Sequence, residues 1–154
     1  MNKEEISQFF NCLGEIWRDI TIVEFLMRCA IAKKDGDINL FPQPPYTKDK
    51  IYNKYPKSFS HQSFEIITNK FNKRFPDIKI PQELIQLRDG MAHGIIADIN
   101  NSGIDKIVKF KELENKSGIK VEFIMPLELG RLTKIRQSLS ELRRHVMKIA
   151  GDEK

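Results

Sequence analysis

From Glu4 to about Lys33, the apolar residues Ile6, Phe9, Leu13, Ile16, Ile20, Val23, Met27 and Ala30 recur at alternating steps of three and four. That spacing predicts one long amphipathic helix, with Phe10 and Trp17 widening the stripe and Gly14 as a weak spot or a point of close helix approach. Lys33 and Lys34 suit a helix C-terminus, and Asp35-Gly36-Asp37 is turn chemistry. The Pro-rich stretch Phe41 to Tyr46 reads as an extended crossover, and Thr47 is a candidate cap for a short helix through Tyr55. Phe59, Phe64, Ile67, Phe71 and Phe75 predict a second long helix over Ser58 to Phe75, stopped by Pro76. A third opens at Pro81, with Leu84, Leu87, Met91 and Ile95 within one arc of its wheel.

After Ile99 the pattern changes. Asn100-Asn101-Ser102-Gly103 is a turn string, and Ile107 to Phe110 and Ile119 to Phe123 are short β-branched and aromatic runs. They predict a β-hairpin over about residues 105–125, with exposed Lys106, Lys109, Lys111, Lys116 and Lys120 guarding its edges or touching phosphate. Pro126 is then expected to open a closing helix whose seam is Leu132, Ile135, Leu139, Leu142, Val146 and Ile149, with Arg131, Lys134, Arg136, Arg143, Arg144 and Lys148 decorating it. The expected fold class is all-α, an up-and-down helical bundle of four to five helices with a small β-hairpin insertion, forming a single domain over residues 1–154.

Composition narrows the function classes. Hydrophobic residues at 40% and charged residues at 31% suit an ordinary globular chain. No apolar run is long enough to span a bilayer, and the acidic pair after Lys3 is unlike a secretory leader, so a cytoplasmic location without membrane partners is expected. Cys12 and Cys29 lie seventeen residues apart on one predicted helix and read as core thiols. A net charge of +5 favours anionic partners such as RNA. His61 has no second His or Cys at a ligand spacing, and His145 is expected to be exposed, so neither a metal nor another cofactor is expected.

The third helix carries the densest chemistry, Leu87-Arg88-Asp89-Gly90-Met91-Ala92-His93-Gly94. With Arg88 at zero, Ala92, Asp89 and His93 fall at about 40°, 100° and 140° on the wheel. Arg88 and His93 thus border one polar face, small Ala92 leaves room for a ligand, and Asp89 sits one turn before His93, where it can orient the ring. A structural alternative has Arg88 pairing with a helix carboxylate and His93 satisfied near the helix end.

Arg88-Asp89, then His93-Gly94, together with the helix order, resemble the HEPN superfamily (higher eukaryotes and prokaryotes nucleotide-binding). The resemblance covers most of the chain in helix order, but its residue-level support is confined to Arg88 through Gly94. It implies a metal-independent endoribonuclease of toxin or antiviral-defence type, cleaving RNA at a composite site in a homodimer, with Arg88, Asp89 and His93 as the catalytic set. It also implies an antitoxin or a nucleotidyltransferase as a partner. The alternative within the same family is a non-catalytic dimerisation, interaction or nucleotide-binding module. Gly90 departs from a good helix former inside the motif and weakens the helix locally.

Overall fold

A computed structural model describes residues 3–40, 48–49, 51, 54–97, 106–114 and 118–151. The described chain is mostly helical. It contains helices α1 (Lys3–Lys34), α2 (Phe64–Arg74), α3 (Gln82–His93) and α4 (Leu129–Ala150), and strands β1 (Ile95–Ala97), β2 (Lys106–Glu112) and β3 (Ile119–Pro126). The Pro-rich stretch Phe41 to Tyr46, Lys116 and the Asn100 to Gly103 turn lie outside the described residues, and of the short helix expected from Thr47 to Tyr55 the described residues 48–49, 51 and 54–55 are not helical.

The chain groups into two compact units. The first comprises residues 1–20 and 81–141, and the second residues 21–80 and 142–154. In the first, the interior is built from Phe9, Leu13, Ile16 and Ile20 of α1, Leu84, Ile85 and Leu87 of α3, Ile107 and Met125 of the sheet, and Leu132, Ile135 and Leu139 of α4. In the second, Val23, Met27, Ala30 and Ile31 of α1, Phe64, Ile67 and Phe71 of α2, and Leu142 and Val146 of α4 are buried. The seams expected of α1 and α4 are therefore the faces that leave water. Phe10 and Trp17 do not widen the buried stripe of α1: both are exposed, as is Ile6.

Helix ends follow local chemistry in part and longer-range hydrogen bonds in part. Past Lys34, Gly36 takes the left-handed conformation (φ 79°), and the Asp37 N–H donates to the Ala32 carbonyl at 2.8 Å, closing α1. α2 starts at Phe64 instead of Ser58, because Arg28 holds the preceding segment in another shape. Its Nη1 donates to the carbonyls of Ser58 (2.5 Å) and Ser60 (3.2 Å), and its Nη2 to those of Gln62 (3.0 Å) and to Glu24 (2.7 Å). Lys57–Phe59 forms a 3-10 turn there, and Ser63 then caps α2 by accepting the Ile66 N–H. Pro126 does not open α4. It is the last residue of β3, paired with Lys106, and the helix begins three residues later at Leu129.

The expected hairpin is a three-stranded antiparallel sheet of order β1-β2-β3. The added strand comes from residues expected to continue α3. Gly94 ends that helix, its N–H bonding the Gly90 carbonyl at 2.6 Å, and β-branched Ile95 and Ile96 then pair with Val108 and Ile107. Between β2 and β3 the register shifts after Lys109, where Glu122 of β3 has no partner across the ladder.

Candidate active site on the third helix

Helix α3 is positioned by two glycines beneath the sheet. A Cβ at Gly90 would sit 2.6 Å from Cγ2 of Ile107 and 3.1 Å from the Phe123 ring. A Cβ at Gly94 would sit 2.8 Å from the same Ile107 methyl and 2.5 Å from the Gly90 carbonyl. Ile107, fully buried, thus fills a notch that only these two residues leave open. The glycine that weakens α3 by propensity is what lets β2 pack onto it.

With that side covered, and with Leu84, Ile85 and Leu87 buried, the polar residues of the motif are left at the surface to different degrees. Arg88 and Asp89 are half-buried, while Ala92 and His93 are exposed. Met91 is only half-buried and Ile95, now in a strand, is exposed, so the apolar arc of α3 is shorter than its sequence suggests. His93 is the last residue of the helix, and among the described residues its imidazole has no hydrogen bond or ion pair. The side chain is left to solvent or to a ligand.

Asp89 does not serve His93. Its carboxylate accepts a hydrogen bond from Lys109 of β2, whose Nζ also lies 2.7 Å from Oε2 of Glu122. One ammonium is held between two carboxylates, from α3 and from the bulged part of β3. Burial pulls the Lys109 pKa down, but its hydrogen bonds to Asp89 and Glu122, with their negative charges, raise it on balance. The lysine stays charged, and Asp89 shares it with Glu122.

Lys109 and Glu122 are absent from the expected site. The alternation of β2 does place Lys109 on the same face as Ile107, the face turned to α3, which is the sequence signal for its contact. Neither Lys106 nor Lys109 is the exposed edge lysine expected, since both are half-buried. Elsewhere, His61 and His145 are exposed, and Cys12 and Cys29 are free thiols whose pKa burial pushes up. Among the described residues, no group of three or more His, Cys, Asp or Glu is arranged to hold a metal ion, and no helix is long and apolar enough to cross a membrane. Basic side chains of α4 meet carboxylates in the same unit: Arg131 Nη2 lies 2.6 Å from Glu83 of α3, and Arg136 Nη1 2.5 Å from Glu15 of α1. No family model, no curated protein and no solved structure matches the chain.

Proposed function

We propose that this protein is a metal-independent endoribonuclease of the HEPN type, acting at a composite site to which two copies of the chain each contribute α3. The observation that carries the reading is the exposed His93 imidazole at the end of the helix that also presents half-buried Arg88, with small Ala92 and the Lys109-paired Asp89 on the wheel between them. The net charge of +5 supports a polyanionic substrate.

Cleavage without a metal uses the substrate's own 2′-hydroxyl. One imidazole removes its proton, the oxygen attacks the adjacent phosphorus, and a protonated imidazole delivers a proton to the departing 5′-oxygen as the P–O5′ bond breaks. Arg88 lies against the phosphorane, whose negative charge its guanidinium stabilises. One His93 per chain supplies one of the two proton roles, and a twofold pair supplies both. Asp89 acts through Lys109, fixing the sheet against α3. Purified protein incubated with total RNA tests this: wild type leaves 2′,3′-cyclic phosphate and 5′-hydroxyl ends, with or without EDTA.

The commitment of Asp89 to Lys109 favours a second reading, an interaction module of the same kind in which the polar residues of α3 are structural. Intact RNA in the same assay, for wild type and variants alike, selects it.

A further inference from the structure

Alternation along β2 divides the sheet into two unlike faces. Ile107 and Lys109 point at α3, as their approach to Gly90 and Asp89 shows, so Lys106, Val108, Phe110 and Glu112 point away. In register with Val108 stand Ile95 and Ile124, and opposite Phe110 stands Val121. Ile119, opposite Glu112, completes the set. Ile119, Ile95 and Ile124 are 67%, 58% and 51% exposed, and Val121 and Phe110 are exposed as well. Val108, at the middle of this face, is buried. An antiparallel sheet ordinarily turns polar residues outward on the face that does not meet the core. Here five large apolar side chains from all three strands occupy it.

We infer that this outer face of the β1-β2-β3 sheet is a contact between two copies of the chain, packed sheet on sheet about a twofold axis. Its extent fits a second copy. With three of the five residues more than half exposed, the face reaches the few hundred Å² of the largest apolar patch on a typical monomer, about 300–600 Å². That is a substantial part of the roughly 800 Å² each partner gives to a stable protein interface. Its charges fit as well. On this face Lys106 stands at the start of β2 and Glu112 at its end, with only apolar residues between them. A twofold axis that runs the two β2 strands antiparallel lays the Lys106 end of one copy over the Glu112 end of the other, twice. A parallel stack would oppose like charges at both ends. Two such faces would pack about 10 Å apart, their side chains interleaved.

The contact is separate from the polar face of α3, which lies on the other side of the sheet, so it stands or falls independently of the ribonuclease reading. Light scattering at high micromolar concentration, on wild type and on Ile119→Lys/Ile124→Glu, tests it. Phe110→Thr/Val121→Thr serves as a second variant that keeps β-propensity, and circular dichroism shows whether each remains folded. Both folded variants are expected to halve the particle mass, from dimer to monomer, or from tetramer to dimer where α3 pairs too. A monomeric wild type, or folded variants that keep the wild-type mass, overturns the inference. RNA cleavage by His93→Ala bears on α3 alone and leaves this result untouched.

Discussion

An added methyl at Gly90 has no free space, since Ile107 lies closer than a Cβ tolerates and the Phe123 ring would have to give way as well. Gly90→Ala gains up to about 1 kcal/mol in helix propensity, but forcing buried Ile107 off its seat costs roughly 1–3 kcal/mol. The substitution is therefore expected to lower the urea midpoint with an unchanged slope, and a raised midpoint would contradict the packing described. The sequence shows Gly90 as a helix weakener. Its reason lies in a residue seventeen positions later and is not written in the local pattern. The same holds for Asp89, whose helical spacing points to His93 while its partner comes from a strand. A second pair is legible only in three dimensions. Arg74 Nε and Nη2 each lie 2.7 Å from an Asp35 oxygen, and this hydrogen bonding holds the Asp35 carboxyl below its usual pKa despite the opposing effect of burial. A depressed folded-state pKa gives stability that is full above the unfolded value of about 3.9 and lost as pH falls through the folded one. Arg74→Ala should thus cost about 0.5–1 kcal/mol at neutral pH and almost nothing in strong acid, by chemical denaturation at both pH values.

At the scale of elements, long periods were easier to read than boundaries. The repeats of α1 and α4 gave their buried faces because a seam sustained over many turns leaves little choice of orientation. Breaks were set by nonlocal contacts: Arg28 holds residues 58–62 out of α2, and the pairing of Ile95 and Ile96 with β2 takes them from α3. With Ser63 capping α2, which starts at Phe64, Ser63→Ala should cost about 1 kcal/mol, seen as a lower thermal midpoint. No change in midpoint would mean that Arg28 alone fixes the start. The exposure of Phe10 and Trp17 was not legible, since a helical wheel places side chains on a stripe without showing how wide a neighbour covers it.

For the whole molecule, the mostly helical character and the presence of strands between the third and last helices were legible. The third strand was not. That strand changes the functional picture, because it ends α3 at His93 and leaves the imidazole at a helix terminus instead of mid-helix. In the proposed composite site, Arg88→Ala would remove stabilisation of the phosphorane and should slow cleavage by about two to three orders of magnitude. His93→Ala removes a proton-transfer group and should slow it by roughly 10²- to 10⁴-fold, with the fold intact because His93 is exposed. The most direct measurement is cleavage of total RNA by wild type, Arg88→Ala and His93→Ala in EDTA, with the chemistry of the product ends determined. The account predicts cyclic-phosphate ends from wild type and cleavage lost in both folded variants. RNA left equally intact by all three, or cut equally by all three, contradicts it.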